Sequence, residues 1–408
     1  MTEEKKNVPA LRFPEFEGEW EEKKLEEIVS FGKGKLLGKK DLTEDGKYLC
    51  ILYGELYTKY GAIINNIESR TNVDPSKLKK AENNQILIPS SGETVEDIAT
   101  ASAINVTEDV YIGGDLNILT PQKDDGRFIS LSLNSVNKWN VSRFAQGKTV
   151  VHLYNSDLKN LKINLPCQFE EQQKIGDFFS KLDHQIELEE QKLALLEEQK
   201  KGYMQKIFSQ TNVIFKSLED VGCFFTDGNY GENYPKSTDM TSKENGIAFL
   251  RGSNLNNGKI TLNGSNYITK EKHQELKSGH LHLNDIVIAV RGSLGALGYV
   301  DDTMVGNNIN SQLAIIRTGN NQINSKYLIY YLMSHKGKKE LLSRITGTAL
   351  KQLPLNQIKQ VKVPTPPYKE QQKIGNFFSK LDRQIEIQSQ KIDLLKQRKQ
   401  GFLQKMFV

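Results

Sequence analysis

The chain has 408 residues, a formal net charge of +5 at pH 7, and 37% hydrophobic and 26% charged residues, a composition typical of a globular protein with two or three domains. Its three cysteines are far apart and form no CxxC pair, which excludes a disulfide framework or zinc site identifiable from spacing. The sequence has neither an apolar run approaching the roughly 20 residues of a membrane span nor the apolar core of a secretory signal, so we expect a cytoplasmic protein without a membrane partner.

Four segments follow one another along the chain. Mixed strand and turn signals predict globular regions, and each ends at proline (Pro166, then Pro366 and Pro367), which fixes φ and cannot continue a strand ladder. Long helical patterns begin just after these prolines. The predicted order is a first globular domain (1–168), a central helix (169–210), a second globular domain (211–367) and a C-terminal helix (368–408).

The second half of the chain repeats the first. The stretch EEQQKIGDFFSKLD begins at Glu170, and KEQQKIGNFFSKLD begins at Lys369. Farther upstream, NQILIPSSG (84–92) matches NDIVIAVRG (284–292). The chain is therefore two copies of one unit, each a globular region followed by a long helix.

Both helices carry a heptad pattern that requires a partner helix. Seam residues recur at steps of four and three over about five heptads, with Glu189, Lys200, Gln388 and Lys399 as polar positions that can fix the register. The apolar and aromatic seam positions are Ile175, Phe179, Leu182, Ile186, Leu193, Leu196, Tyr203 and Ile207 in the first helix, and Ile374, Phe378, Leu381, Ile385, Ile392, Leu395, Phe402 and Met406 in the second.

The charges of the helices indicate which partner each one takes. The first has 9 acidic and 6 basic residues (170–208), whereas the second has 4 acidic and 9 basic residues (369–408). Opposite net charges favour pairing of the two helices with each other over pairing with a second chain. We predict an α+β fold in which two similar globular domains are joined by an antiparallel coiled coil and related by a pseudo-twofold axis. A homodimerisation zipper or an ordinary core hairpin is the alternative.

Three stretches resemble the specificity subunits of type I restriction-modification enzymes. They are the doubled EQQKIGxFFSKLDxQI block after a proline stop, the opening PALRFPEFEGEWEEKKLEEI (9–28), and GTALKQLP (347–354) at the close of the second globular region. The resemblance covers the whole chain. It implies that each globular domain is a target recognition domain for one half of a bipartite target in double-stranded DNA, and that the helices set the spacer between the halves.

The resemblance also implies partners and cofactors. The helices would dock two methyltransferase subunits, and restriction/translocase subunits would join them in the full nuclease. We expect no cofactor in this chain, with S-adenosylmethionine, and ATP with Mg²⁺ in the full nuclease, on the partner subunits. The alternatives are a DNA methyltransferase or nuclease with degenerate motifs, and a coiled-coil scaffold without nucleic acid.

Two stretches imitate catalytic motifs. TPPY (365–368) has threonine where adenine methyltransferases have Asn or Asp, and so lacks the oxygen that would accept a hydrogen bond from the target amine. GKLLGKK (34–40) has the wrong glycine spacing for a phosphate-binding P-loop, and no Ser or Thr follows its lysine. We therefore predict a non-catalytic subunit without a catalytic, cofactor or metal site of its own.

Two features of the first globular domain are candidate DNA contacts. Four lysines within eight residues of a glycine-containing loop (Lys33, Lys35, Lys39 and Lys40) can follow a phosphate backbone, although a solvated charged loop is the alternative. Ser90, Ser91 and Gly92 follow an apolar strand at the place where Arg291 and Ser293 follow one in the second domain. Matched polar loops in two duplicated domains predict a base-reading edge, with plain turn chemistry as the alternative.

The remaining candidates lie in matched glycine loops and in amide-rich turns. RFAQGKTV (143–150) aligns with SRITGTAL (343–350), and both offer side chains suited to base edges and phosphates. The predicted contacts in these segments are Arg143, Gln146, Lys148, Thr149, Arg344 and Thr348. In the second domain we add Arg251, Asn254, Asn308, Ser311, Lys351 and Gln352, although asparagine-rich loops are also ordinary turns.

Overall fold

The computed structural model describes residues 7–147, 150–209, 213–319, 322–348 and 350–408. The chain forms two compact units, of which unit 1 comprises Met1–Glu190 with Gln390–Val408 and unit 2 comprises Gln191–Ser389. Each long helix therefore contributes to both units, and the domain boundaries drawn from the sequence stay predictions. No helix in the described ranges is long and apolar enough to cross a membrane.

Unit 1 is built from short strands and helices that precede the first long helix. The strands are β1 Glu21–Lys24, β2 Val29–Lys33, β3 Tyr48–Ile51, β4 Ile63–Ile64, β5 Arg70–Thr71, β6 Lys79–Lys80, β7 Ile86–Pro89, β8 Ser91–Gly92, β9 Ser102–Ile104, β10 Val110–Ile112, β11 Leu116–Pro121, β12 Val151–His152 and β13 Lys162–Leu165. The helices are α1 Leu25–Ile28, α2 Glu55–Thr58, α3 Val95–Ile98, α4 Gly126–Asn134, α5 Lys138–Ser142, α6 Asn155–Leu158 and the long α7 Phe169–Phe208.

Two sheets organise unit 1. A five-stranded sheet has the order β2-β11-β7-β9-β4, and a four-stranded sheet has the order β5-β3-β10-β6. The central strand β7 reads ILIP and is buried along its whole length, as expected for an apolar run covered on both faces. Two-stranded pairs, β1 with β13 and β8 with β12, complete the unit.

Unit 2 has a similar plan, with four strands rather than five in the sheet that matches the larger sheet of unit 1. Its strands are β14 Phe215–Ser217, β15 Phe224–Asp227, β16 Met240–Thr241, β17 Ile247–Leu250, β18 Leu255–Asn256, β19 Lys259–Ile260, β20 Asn266–Ile268, β21 Ile286–Ala289, β22 Leu297–Tyr299, β23 Asn308–Ile309, β24 Leu313–Arg317 and β25 Lys362–Pro364. Its helices are α8 Lys270–Glu275, α9 Ser325–Met333, α10 His335–Leu342, α11 Leu355–Lys359 and the long α12 Tyr368–Lys405. The sheets have the orders β15-β24-β21-β22 and β16-β20-β17-β23, with the pairs β14–β25 and β18–β19.

Within each unit the two long helices run antiparallel, which confirms the predicted pairing. In unit 1, Asp183 pairs with Lys399 at 2.5 Å, and Glu189, farther along α7, pairs with Lys391, earlier in α12. In unit 2, Lys200 pairs with Asp382 at 2.5 Å. These ion pairs join the acidic and basic helices, as their opposite charges predicted.

The heptad pattern describes which helix residues are covered. All the predicted apolar and aromatic seam residues are buried or half-buried except Tyr203, which is 44% exposed and packs its ring against Phe377 with the ring centroids 5.2 Å apart. At its ends the seam enters the globular cores. Phe179 and Phe407 belong to the core of unit 1, and Phe208 and Phe378 to the core of unit 2.

A buried glutamine ties the start of each long helix to its globular region. The side-chain carbonyl of Gln172 accepts a hydrogen bond from the Asp125 amide at 2.9 Å, and that of Gln371 accepts from the Asn324 amide at 2.8 Å. Each glutamine also donates to the carbonyl of the preceding proline, Pro166 or Pro366. The glutamine shared by the two repeats thus fixes the angle at which each helix leaves its domain.

Gly375 lets α12 approach α9 closely. A Cβ at this position would lie 2.9 Å from the backbone nitrogen of Tyr327 and 2.8 Å from Cβ of Lys326. By contrast, a Cβ at Gly202 on α7 would meet nothing within 4 Å. Substitutions at these two glycines therefore distinguish the effect of close packing, at Gly375, from the effect of helix propensity alone, at Gly202.

We expect Gly375→Ala to destabilise unit 2 by about 1–3 kcal/mol, because the new methyl group forces the packed backbone apart. Gly202→Ala, the matched control, should stabilise by up to about 1 kcal/mol because alanine is the better helix former. Denaturant midpoints of the two purified variants measure this difference. Equal midpoints would show that close packing at Gly375 is unimportant.

Candidate nucleic-acid interface

The ends of three strands meet along one side of the five-stranded sheet in unit 1. Lys33 at the end of β2 lies opposite Asn117 of β11, and Pro89 at the end of β7 lies opposite Leu116, where β11 begins. The loops that leave β2 and β7 are therefore neighbours. We call this the strand-end edge of unit 1.

The lysine loop, residues 33–40, starts at this edge. All four predicted lysines are exposed, and none of the ion pairs between described residues involves them. Gly34 holds the loop against the end of β10, since a Cβ at this glycine would clash with the carbonyl oxygen of Gly113. The lysine charges are thus available to a partner at a fixed place beside the sheet.

A hairpin brings a second group of predicted residues to the same edge. Gln146 and His152 exchange two backbone hydrogen bonds, of 2.9 and 2.8 Å, and the hairpin pairs with Ser91 and Gly92 through β12 and β8. Ser90 and Ser91 are half-buried, and Gly92 is buried, so only the two serines of this predicted group are accessible. The Ser91 hydroxyl lies 3.4 Å from Nδ1 of His152, a residue that was not predicted as a contact although it lies close to the doubled loop motif.

Two of the predicted contacts in this hairpin, Lys148 and Thr149, lie outside the described residues. Arg143 is exposed at the end of α5 and stacks on the Trp139 ring, with its Cζ 4.7 Å from the ring centroid. Trp139 is itself 66% exposed. This arginine and tryptophan pair precedes the Gly147 turn in the sequence, but Arg143 lines a surface pocket with Glu22, Asn160 and Lys162 rather than the strand-end edge.

Unit 2 has a strand-end edge at the matching place. Asp227 at the end of β15 lies opposite Ala314 of β24, and Ala289 at the end of β21 lies opposite Leu313. Arg291 follows β21, and its Cζ lies 5.3 Å from the centroid of the Tyr230 ring. The Tyr230 hydroxyl donates to the carbonyl of the half-buried Ser311 at 3.1 Å, which joins the loops after β15 and before β24.

The hairpin of unit 2 also docks at its edge. Thr346 and Gln352 exchange backbone hydrogen bonds of 2.9 and 3.0 Å, and the Leu353 amide donates to the Val290 carbonyl at 3.0 Å. The predicted contacts in the hairpin, Thr348, Lys351 and Gln352, are exposed.

Ser293 and Arg251 are brought into the same neighbourhood. Ser293 is exposed and lies beside Gly252, where a Cβ would be 3.6 Å from the serine side chain. Arg251, the residue before Gly252, is exposed and donates to the Gly264 carbonyl at 2.9 Å.

The structure corrects the predictions for two asparagines. Asn254 and Asn308 are both 0% exposed, so neither side chain is available at the surface. The Asn254 amide donates to the carbonyls of Thr261 and Asn263 and to the Ser265 hydroxyl, and so closes a turn. Asn308 lies in β23 and contacts the ring of His273.

Arg344 differs from the other predicted arginines of the edge because it is already paired. Its guanidinium is half-buried and bonds Glu340 at 2.7 Å on the preceding turn of helix. Because Glu340 engages its guanidinium, Arg344 does not present a free fork of donors to DNA in this structure.

Comparison with known proteins identifies the family. Residues 17–198 and 213–397 each match the type I restriction modification DNA specificity domain. The chain belongs to this family. Its two specificity domains coincide with the two repeats of the sequence.

Individual relatives agree with the family assignment. The chain is 25% identical over 277 residues to the MjaVIII specificity subunit of a type I restriction enzyme from Methanocaldococcus jannaschii, covering 63% of this chain and 64% of that protein. It is 26% identical over 311 residues to the putative MjaX specificity subunit of the same organism, covering 71% and 70% of the two chains. The crystal structure of the type I S subunit from M. genitalium shares the fold, with a TM-score of 0.66 at 19% identity, over 98% of this chain and 99% of that one.

Proposed function

We propose that this specificity-family chain reads a bipartite DNA target, with the strand-end edge of each unit contacting one half. The observation that supports this proposal is the presence of a strand-end edge at the matching place in both units. In both units the loops after two sheet strands and a glycine-turned hairpin converge at the same place in the fold and present exposed polar or basic side chains. Loops held on a rigid sheet suit recognition because the scaffold fixes their positions.

The long helices supply the second part of the proposal, which is to set the spacer between the half-sites and to dock two methyltransferase subunits. A helix of 40 residues such as α7 is about 60 Å long at 1.5 Å per residue. Successive major-groove faces on one side of DNA recur about every 34 Å. A coiled coil of this length is therefore long enough to hold two DNA-reading domains on separate half-sites.

We also propose that the chain is not itself the catalyst. Burial raises the pKa of the Cys50 and Cys223 thiols to about 12, so these thiols stay protonated at neutral pH and are poor nucleophiles. Among the described residues no three His, Cys, Asp or Glu side chains are grouped to hold a metal ion. S-adenosylmethionine would then bind to the methyltransferase subunits, and ATP with Mg²⁺ would bind to the restriction/translocase subunits of the full nuclease.

Methylation mapping tests this function. The chain and its partner methyltransferase are expressed in a host that lacks other restriction-modification systems, and modified bases are located across the genome. We expect methylation at one sequence with two short specific halves and a spacer of fixed length. Methylation at a single uninterrupted sequence, or at none by an assembled and soluble complex, would contradict the proposal.

Removing the exposed charges of the lysine loop should weaken binding without changing the target. We expect glutamine at Lys33, Lys35, Lys39 and Lys40 together to lower affinity for all sequences alike, because phosphate contacts carry no base information. The slope of log affinity against log salt should fall by up to about 0.9 for each of these lysines that touches a phosphate. Titration of labelled DNA at several salt concentrations measures both effects.

Lys123 and Lys159 provide the control for this experiment, since they are exposed in unit 1 but lie toward the opposite end of the sheet. Lys123 follows Pro121, which lies opposite the first residue of β2, and the Lys159 carbonyl accepts from the Glu26 amide at 3.3 Å, before β2 begins. Glutamine at these two lysines should leave the salt slope unchanged. An equal decrease of the slope in the control would show that the lysine loop has no special part in binding.

A further inference from the structure

Arg291 stands apart from the other arginines in the globular part of unit 2. No described residue forms a hydrogen bond or ion pair with its guanidinium, and its side chain is exposed. The others all have such partners: Arg251 bonds the Gly264 carbonyl at 2.9 Å, Arg317 bonds Asp285 at 2.7 Å, and Arg344 bonds Glu340 at 2.7 Å. Among these four, Arg291 is therefore the one whose guanidinium has no hydrogen-bond or ion-pair partner in the described residues, so all its donors are available to a ligand.

The backbone around Arg291 is held on both sides. The Val290 amide donates to the Gln312 carbonyl at 2.8 Å, and the Gly295 amide donates to the Ala289 carbonyl at 2.9 Å. Gly292, with φ of +71°, turns the chain immediately after the arginine, a conformation that favours glycine. The Cα of Arg291 is thus fixed at the end of β21 rather than carried on a free loop.

Tyr230 fixes the other end of the side chain. Its ring lies beneath the guanidinium at a centroid distance of 5.3 Å, within the range of a cation–π contact. Burial and the nearby charge of Asp227 raise the pKa of Tyr230, while the charge of Arg291 acts in the opposite direction. The phenol therefore stays protonated at neutral pH and keeps its hydrogen bond to the Ser311 carbonyl.

The charge beside this pair favours a base edge over a phosphate as the ligand. Asp227 is the last residue of β15, and the matching last residue of β2 in unit 1 is Lys33. Opposite charges at these matched positions indicate that the two strand ends bind different parts of DNA. A carboxylate near the arginine disfavours a phosphate but leaves the forked donors of the guanidinium exposed. Two donors in one plane match the O6 and N7 acceptors of guanine in the major groove.

We propose that Arg291 reads a guanine in the half-site bound by unit 2, and that Tyr230 is the positioning residue that holds its guanidinium in the reading orientation. This inference rests on the proposed function and adds to it the identity of one base. The matched loop of unit 1 has Ser90 and Ser91 in this place, so we expect no arginine–guanine contact at the corresponding position of the other half-site.

The test is selection from a DNA library with both half-sites randomised, using the full chain assembled with its methyltransferase. Exchange of residues 209–368 for those of a relative identifies which half belongs to unit 2. Arg291→Lys keeps the charge but removes the fork, and we expect the preference for guanine at one position of that half to fall by about 5- to 150-fold. The other positions, the first half and the salt slope should not change.

Variants of Tyr230 test the positioning role. Tyr230→Phe keeps the ring and should retain most of the guanine preference, whereas Tyr230→Ala should reduce the preference at the same position only. Arg317→Lys is the control and should leave the profile unaltered, because Arg317 lies at the opposite end of β24 from the strand-end edge and lysine keeps the charge beside Asp285.

Three results would overturn the inference. The first is a unit 2 half-site with no guanine on either strand, and the second is an unchanged base profile for Arg291→Lys. The third is a decrease spread evenly over all positions for Tyr230→Ala, which would mark a structural role. If the unaltered assembly selects no bipartite sequence at all, the proposed function itself fails, an outcome distinct from these three.

Discussion

A chain lacking one heptad from each long helix is expected to select a spacer about three base pairs shorter than the unaltered chain selects. Seven helical residues span about 10.5 Å, and base pairs are spaced about 3.4 Å apart along the DNA axis. Deleting residues 189–195 and 387–393 keeps the seam in phase and retains the ion pairs of Asp183 with Lys399 and of Lys200 with Asp382.

Spacer length, not affinity, is the quantity to score. Removing three base pairs also rotates the half-sites by about 100°, so weaker binding is expected as well. Selection from a library with randomised spacer length, by the mutant assembled with its methyltransferase, gives the answer. A charge exchange that preserves length, Glu189→Lys with Lys391→Glu, is the control and should select the original spacer. Selection of that spacer by the shortened chain would show that the coil does not set the distance.

Exchanging residues 209–368 for the matching segment of a relative with a different target should change one half of the recognised sequence completely and leave the other half intact. Unit 2 carries its own core, with Tyr327, Leu328 and Ile358 buried beside Phe378 of α12. Its edge residues, Arg291 among them, travel with the exchanged segment, whereas the lysine loop of unit 1 does not.

Genome-wide methylation by the chimeric complex measures the result. The reciprocal exchange of residues 9–168 should alter the opposite half, which makes the two chimeras controls for one another. A change in both halves with either exchange would mean that the two domains do not read DNA independently.

Periodic features could be predicted from the sequence because burial along a helix or a central strand follows a local repeat. The heptad steps from Ile175 to Ile207 located the covered face of α7, and the apolar runs ILIP and IVIA located the buried strands β7 and β21. Tyr203 departs from the pattern because its ring packs edge-on against Phe377 at the margin of the seam.

The polar residues of the loops could not be sorted in the same way. Whether an asparagine in a turn faces solvent depends on which carbonyls approach it in the fold, and Asn254 is enclosed by the carbonyls of Thr261 and Asn263. Tyr230 and Arg291 lie in separate loops of the sequence, and no local pattern links the two. Only the folded chain reveals that one residue supports the other.

The division of unit 1 into two distant stretches of sequence has a consequence for the order of events during synthesis. Leu403, Met406 and Phe407 lie in the same core as Trp20 and Phe179, so that core stays incomplete until the end of α12 has been synthesised. Unit 2 is one continuous stretch and can close earlier, although the ribosome makes it later than most of unit 1. Until then the nascent chain has an apolar surface exposed on unit 1. A molecule that lacks the last turns of α12 would keep that surface exposed to chaperones and proteases.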